Sequence, residues 1–122
     1  MKINIPNVHG NGNILKIEGG YLALVHNRCG RTYYHYFMVM SSDFVVQKIS
    51  NRFRFNDSCS VEFAMSMFFA LNSNNRTIGV SVCENDAFQY VYLIDKEKLL
   101  DFIFNDTQIQ SKTIKSTTCD EL

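Results

Sequence analysis

The chain has 122 residues, carries 12 basic and 12 acidic side chains, and is 46% hydrophobic. This length and composition predict one ordinary globular domain with a buried core, and they exclude a disordered or fibrous chain. The balanced charge supplies no net field that would attract a phosphate backbone or an anionic bilayer. We therefore expect neither nucleic acid nor a membrane as a partner.

The start of the sequence and the cysteines indicate where the protein works. The first residues lack the apolar stretch of a secretory signal, and no later run is long enough to cross a bilayer. Four cysteines lie far apart and include no CxxC pair: Cys29, Cys59, Cys83 and Cys119. This spacing favours reduced thiols over the alternative, a disulfide framework, and gives no zinc-finger pattern. We expect a cytoplasmic protein.

Runs of β-branched and aromatic residues, separated by turn-forming residues, predict two antiparallel meanders. The first would have four strands, at residues 14–18, 21–27, 32–40 and 44–50. The second would have three, at residues 61–71, 77–83 and 87–94. The expected fold class is therefore all-β.

The predicted strand at residues 32–40 is apolar on both faces. Tyr34 and Tyr36 would point to one face, and His35 and Phe37 to the other. A single antiparallel sheet would normally leave one face in water, so two sheets stacked face to face are predicted. Propeller blades are one arrangement that stacks sheets in this way.

The pattern changes to helical spacing after Asp95. Its carboxylate can cap the first turn of a short amphipathic helix at residues 96–104. Beyond this helix the chain is polar and has little to bury, which predicts a flexible tail at residues 105–122.

Two side chains in the first meander could bind a ligand. His26 ends an apolar strand just before a turn, where its imidazole could donate to an anion or a sugar hydroxyl. A strand-end histidine that bonds a neighbouring carbonyl is the alternative. Tyr34 belongs to a group of tyrosines whose rings could stack on a sugar, although alternate aromatics in a strand also serve ordinary packing.

Two acids in the second meander stand out by their position. Glu62 is the only acid in the apolar run 61–71, so its carboxylate must be hydrogen-bonded or face a wet cavity. Asp86 lies in the turn between two strands, where it could accept sugar hydroxyls or simply form the turn. A glycosidase needs two such carboxyl groups at a defined separation, which the sequence does not give. No phosphate loop, nucleophile elbow or metal-ligand cluster is present, so we predict no catalytic residue and no metal ligand.

Five short motifs follow one another through residues 10–104: GGYLALVH at 19–26, YHYF at 34–37, ISNRFRF at 49–55, VEFA at 61–64 and IGVSVCEND at 78–86. Their order resembles the five-bladed β-propeller of glycoside hydrolase family 130, which includes the mannoside phosphorylases, and its glycosyltransferase-associated relatives. The resemblance implies that residues 1–104 form a partial propeller of two consecutive blades followed by the short helix.

The resemblance also implies roles for the four candidate residues. His26 matches a histidine that helps to bind phosphate, and Tyr34 lies near the tyrosine that assists it. Asp86 matches an acid that lines the sugar site, and Glu62 falls on an acidic position of the family. Tyr36 stands where the glycosyltransferase-associated relatives carry Arg. The general acid and most phosphate-binding residues belong to blades that would precede this chain.

The function we expect is carbohydrate binding by a partial propeller that completes a sugar site with the blades it lacks. Inorganic phosphate would be the co-substrate of the complete fold, and no other cofactor is expected. Catalysis by this chain alone is not expected. A second copy of the chain or an upstream propeller half would be the protein partner. The alternative is a degenerate propeller fragment that serves as an interaction or assembly module without binding sugar.

Overall fold

The computed structural model describes residues 9–56 and 61–105. Within these ranges the elements in chain order are β1 (His9–Ile17), β2 (Gly20–Cys29), β3 (Thr32–Ser41), β4 (Val46–Ile49), β5 (Glu62–Phe69), β6 (Thr77–Glu84), β7 (Phe88–Asp95) and α1 (Lys96–Asn105). The predicted all-β class, the two antiparallel sheets and the C-terminal helix are confirmed. The propeller assignment stays a prediction. Asn105, predicted as the first residue of the tail, is the last residue of α1, and the rest of the predicted tail, residues 106–122, lies outside the described residues.

The strands form two separate meanders in simple chain order. Sheet A contains β1, β2, β3 and β4, and sheet B contains β5, β6 and β7. Strands β2 and β3 pair along their whole length, from Gly20 opposite Ser41 to Cys29 opposite Thr32. This unbroken register places His26 opposite His35.

Two predicted strands are shorter in the structure, and a residue in the left-handed backbone region lies next to each of them. The predicted strand at 44–50 begins only at Val46, and Phe44 has a φ of 62°. The predicted strand at 61–71 is β5, which ends at Phe69, and Asn72, with a φ of 62°, follows in the loop to β6. Asn is among the residues that tolerate this left-handed region best.

One hydrophobic core joins the two sheets and the helix. It contains residues of β2, β3, β5, β6, β7, α1 and the segment after β4: Leu22, Leu24, Phe37, Val39, Phe53, Phe55, Ala64, Met67, Ile78, Val80, Val82, Ile94, Leu99, Phe102 and Ile103. The helix presents Leu99, Phe102 and Ile103 to this core. Its first turn is capped by Asp95, whose Oδ2 accepts a hydrogen bond from Lys98 N at 3.0 Å, as predicted.

A side chain joins the edges of the two sheets. Asn13, in the irregular part of β1, donates from Nδ2 to Met67 O at 2.7 Å and accepts from Met67 N at 2.9 Å. The Asn13 amide therefore replaces a backbone pair between β1 and β5. Gly12, the residue before Asn13, fits this close approach to β5 because it has no side chain. A Cβ at this position would lie 2.8 Å from Met65 O. The inner edge of sheet B is thus covered by sheet A.

The segment after β4 runs along β3 and carries two core phenylalanines. His35 and Phe53 exchange two backbone hydrogen bonds of 2.9 Å each. Ser50 is fixed to Phe37 by a backbone bond of 2.8 Å and by its hydroxyl, which accepts from Phe37 N at 2.9 Å. These bonds hold the segment after β4 against β3, and its residues 55–56 lie at the start of β5, where they bond to Glu62.

The cysteines differ from the sequence prediction at one position. Cys29, the last residue of β2, is disulfide-bonded, so the expectation of reduced thiols was wrong for this residue. Cys83 in β6 is a free thiol and is half-buried. Cysteines 59 and 119 lie outside the described residues. Among the described residues, no helix has both the length and the apolar character needed to cross a bilayer.

Candidate functional site at the polar end of the sheets

The three histidines of the chain lie side by side at one end of sheet A. The strand register places His9 of β1 opposite His26 of β2, and His26 opposite His35 of β3. Sheet B contributes two acids at the same end, since Glu62 of β5 pairs with Glu84 of β6. We call this group, His9, His26, His35, Glu62 and Glu84, the polar end.

A buried contact between His35 and Glu62 joins the two sheets at the polar end. Both side chains are 0% exposed, and His35 Nε2 lies 3.0 Å from Glu62 Oε2. The two atoms are in contact without the alignment of a hydrogen bond, and neither ring nitrogen of His35 has another partner among the described residues. The contact becomes an ion pair when the imidazole is protonated.

Both oxygens of Glu62 are occupied by the backbone of the segment after β4. Oε2 accepts from Phe55 N at 2.7 Å, and Oε1 accepts from Asn56 N at 2.6 Å. The sequence argument that a carboxylate in this apolar run must be hydrogen-bonded is therefore satisfied by the chain itself. Glu62 shapes the polar end by fixing residues 55–56 and by contacting His35.

The second acid, Glu84, is also held by neighbouring side chains. It is 5% exposed, and its Oε1 accepts from Asn56 Nδ2 at 3.1 Å. Its Oε2 accepts from the Tyr92 hydroxyl at 2.6 Å. Asn56 thus bridges Glu62 and Glu84, so the two acids form one connected network with the segment after β4.

His26 lies in an aromatic cluster built from both sheets. Its ring centroid is 5.1 Å from that of Phe63 and 5.8 Å from that of Tyr33, and both contacts are edge to face. His9 adds a tilted contact at 5.8 Å. The imidazole itself is 9% exposed, whereas Tyr33 and Phe63 are half-buried and His9 is exposed. Partly exposed aromatic rings therefore surround a mostly buried imidazole.

The environment of His26 favours its neutral form. Burial lowers its pKa below the ordinary 6.5, and the nearby His35 and His9 lower it further. At neutral pH the ring therefore has one protonated and one unprotonated nitrogen and no positive charge. A neutral imidazole suits a hydroxyl group better than a phosphate anion.

Asp86 lies in the hairpin turn that closes β6 and β7, at the same end of sheet B. Asn85 and Asp86 both have a φ of 55°, and Ala87 N donates to Glu84 O at 3.1 Å. Positive φ at both central positions is the signature of a type I′ turn. Asn85 also fixes the turn to the start of β5, since its N–H donates to Val61 O at 2.7 Å. Asp86 itself is exposed to solvent at the rim.

Tyr34 lies on the opposite face of β3 from His35, because successive side chains of a strand alternate. It is 9% exposed, and the Arg52 guanidinium carbon lies 4.4 Å from its ring centroid. This distance gives a cation–π contact. On the same face, Asn27 Nδ2 donates to the Tyr36 hydroxyl at 3.3 Å.

The structure therefore brings three of the four predicted residues to the polar end, with Tyr34 on the other face of sheet A. His26 lies in the aromatic cluster, Glu62 contacts His35, and Asp86 is exposed in the turn between β6 and β7. Sequence reasoning did not assign Phe63 to a site, although it stands beside Glu62 in a motif used for the resemblance. His35, which the sequence placed on the same strand face as Phe37, is fully buried.

Elsewhere the described residues offer less for binding. They contain no group of three or more His, Cys, Asp or Glu that could hold a metal ion. An open cavity of about 320 Å³ lies at the opposite end of sheet B, lined by Arg76, Asp95, Lys96 and Glu97. Its two basic and two acidic side chains balance each other, and it is separate from the polar end.

No protein-family model matches the chain, and no curated protein or solved structure matches it either.

Proposed function

We propose that this chain binds carbohydrate at the polar end of its two sheets. The observation that carries the proposal is the aromatic cluster of His26, Tyr33 and Phe63, in which partly exposed rings surround a neutral imidazole. Sugars present apolar C–H faces together with hydroxyl groups, so they suit a surface that combines apolar rings with polar tips.

Each residue of the cluster has a defined role in this proposal. The rings of Tyr33 and Phe63, which meet at 90° with centroids 5.8 Å apart, supply the stacking surface. His26 supplies an uncharged ring beside this stacking surface. Asp86 at the rim accepts further hydroxyls, and Glu62 acts through the backbone that it fixes. The neutral His26 favours a neutral sugar over an anion.

The proposed site is the closing part of a larger one. The cluster lies at the ends of strands and is not enclosed among the described residues, so we propose that a second polypeptide segment completes it. Catalysis is not part of the proposal, because both buried acids are bound to the chain itself. A disulfide at Cys29 is typical of oxidising compartments, so we do not propose a cytoplasmic location.

The test is a calorimetric titration of the purified chain with manno-oligosaccharides, with and without inorganic phosphate. We expect binding heat that is lost in Tyr33→Ala and in Asp86→Ala. Phe44→Ala and Asp43→Ala are the matched controls, since Phe44 and Asp43 are exposed residues outside the polar end. The controls should retain the heat of the unchanged chain.

The titration also separates the two ligands. Heat with phosphate alone would contradict the preference for a neutral sugar. No heat with any manno-oligosaccharide, from a chain that circular dichroism shows to be folded, would end the carbohydrate proposal.

An interaction or assembly role is the second candidate, and the outer face of sheet B favours it. On this face Met65 is 45% exposed, Phe68 39%, Val91 54% and Leu93 57%. Four large apolar side chains on one side of a small sheet are typical of a surface that another protein covers.

A further inference from the structure

The outer edge of sheet B differs from the other sheet edges in the described part of the chain. Strand β7 has eight residues and pairs with β6 through eight consecutive residue pairs without a register shift. No residue from Phe88 to Ile94 is charged. Natural edge strands are usually protected from pairing by a short length, a charge, a proline or a bulge. Residues 88–94 of β7 have none of these protections, and the one charge of the strand, Asp95, lies at its last residue.

The remaining edges are protected. Strand β4 at the outer edge of sheet A has four residues and includes Lys48. Strand β1 has an irregular register between Gly10 and Ile14, and its Asn13 side chain bonds to β5. The inner edges of the two sheets therefore cover each other, and β7 is the edge that no strand in residues 9–56 or 61–105 pairs with on its outer side.

Strand β7 is also apolar and exposed on both of its faces. Phe88 is 59% exposed and Tyr90 48%, on the face that carries Ile94. Val91 is 54% exposed and Leu93 57%, on the other face. A strand paired with β7 would bury both sets of side chains and would satisfy the open backbone groups of the edge.

We infer that β7 pairs with β7 of a second copy of this chain. The second copy is then the partner in the interaction role proposed above. A twofold axis through Val91 sets Tyr90 opposite Tyr92 of the second copy and Gln89 opposite Leu93 in an antiparallel pair. The paired strands carry no charge between Phe88 and Ile94, so no like charges oppose each other. The two three-stranded sheets become one sheet of six strands.

This pairing closes the assembly. A contact through a twofold axis uses the same surface on both chains, so the edge is consumed when the dimer forms. The far edge of each sheet is β5, which sheet A already covers through Asn13. The dimer therefore has no open β7 edge from which a fibre could grow.

The test is the mass of the full chain in solution, measured by light scattering over a range of concentrations. We expect a particle of twice the 14.1 kDa of one chain at high concentration and dissociation on dilution. Val91→Lys places two ammonium groups against each other on the axis, and it should weaken the dimer about tenfold or more. Val45→Lys is the matched control, because Val45 is 62% exposed and lies outside the strands.

Hydrogen exchange identifies the surface. The amides of β7 should exchange more slowly in the dimer than in the diluted chain, and this protection should vanish in Val91→Lys. A single-chain mass at every concentration with rapidly exchanging β7 amides overturns the second copy as partner and leaves the interaction role to another protein. A single-chain mass with protected β7 amides also overturns it, because another segment of the same chain would then cover the edge.

The same samples distinguish this inference from the carbohydrate proposal. Val91→Lys changes the mass, and Tyr33→Ala changes the sugar titration. A dimer without sugar heat supports the β7 pairing alone, and sugar heat from a chain that stays single removes the pairing alone. A dimer that dissociates in Val45→Lys and survives in Val91→Lys would place the contact elsewhere and overturn the inference.

Discussion

The two sheets of this protein are built from similar apolar strands, yet they are buried to very different degrees. In the middle of sheet A, residues 34–37 of β3 are all buried, which means that both faces are covered. In sheet B, the outer strand β7 is exposed along most of its length, and Ile94 is its one buried residue. Strands of similar composition therefore lie in opposite environments, one buried and one exposed.

The difference lies in what surrounds each sheet. The segment after β4 runs along β3 and packs Phe53 against Phe37, with ring centroids 5.0 Å apart. No described element lies against the outer face of sheet B. Hydrophobicity in a strand thus indicates that a face can be buried, while neighbouring elements decide whether it is. We therefore expect substitutions in the covered parts to cost more unfolding free energy than substitutions in the open ones.

The largest effect is expected at Glu62, where the two sheets meet. Glu62→Ala removes the acceptor of Phe55 N and Asn56 N and the partner of His35. Breaking such a buried network costs about 3 to 5 kcal/mol of unfolding free energy. Urea unfolding measures it, with Glu97→Ala in the exposed first turn of α1 as the matched control.

An equal small loss in Glu62→Ala and Glu97→Ala would contradict the structural role of the buried carboxylate. A lower unfolding midpoint with an unchanged denaturant slope would show that the change affects stability alone.

The same substitution, Gly→Ala, should destabilise the protein more in sheet A than in sheet B. In Gly20→Ala of β2 the new Cβ would lie 1.9 Å from Met40 O, a backbone atom that cannot turn away. In Gly79→Ala of β6 it would lie 2.3 Å from Cζ of Phe68, a side chain that is 39% exposed. We expect losses of about 3 kcal/mol for Gly20→Ala and about 1 kcal/mol for Gly79→Ala.

A Phe68→Ala background tests whether the ring of Phe68 causes the loss of unfolding free energy in Gly79→Ala. In a Phe68→Ala background the ring that opposes the new methyl group is absent, so Gly79→Ala should become neutral or stabilise by up to about 1 kcal/mol. Unfolding free energies of the single and double variants give the coupling between the two positions. Additive losses would mean that the β6 backbone, rather than the ring, resists the substitution.

The smallest effect concerns pH and His26. Burial and two neighbouring histidines lower the pKa of His26 from 6.5, so the unfolded chain binds a proton more readily than the folded one. The contribution of His26 to stability is therefore complete above the unfolded value of about 6.5 and is lost as the pH falls below it. Unfolding free energies measured between about pH 8 and pH 5 should decline less in His26→Gln than in the unchanged chain.

The matched variant is His9→Gln, since His9 is the exposed neighbour of His26 in the cluster. It should keep most of the decline. The same pH dependence in His26→Gln and in the unchanged chain would show that other groups cause it.

The local features of the fold follow from short stretches of sequence. Turn-forming residues and strand-forming runs predicted both meanders, and Asp95 predicted the start of α1. The errors arose where local signals compete. Gly10, Asn11 and Gly12 indicate a loop, yet they belong to β1, because Asn13 and Gly12 fit against β5 at the junction of the two sheets. That fit depends on a strand more than fifty positions away.

The candidate site was predictable in part for the same reason. The positions of His26 near a strand end and of Asp86 in a hairpin turn were predicted because both features can be recognised locally. Phe63 was not assigned to the site, because its contact with His26 joins two sheets and no spacing in the sequence encodes it. The disulfide at Cys29 was missed because widely spaced cysteines give no indication of pairing.

The sequence by itself determined the strands, their antiparallel order, the capped helix and the need of Glu62 for hydrogen-bond partners, because all of these depend on alternation and on the chemistry of single side chains. The tertiary structure decided which partners Glu62 has, which tyrosine faces His26 and which sheet edge stays open. Those outcomes depend on how two sheets pack against each other, and packing is set by contacts between residues that are distant in the chain.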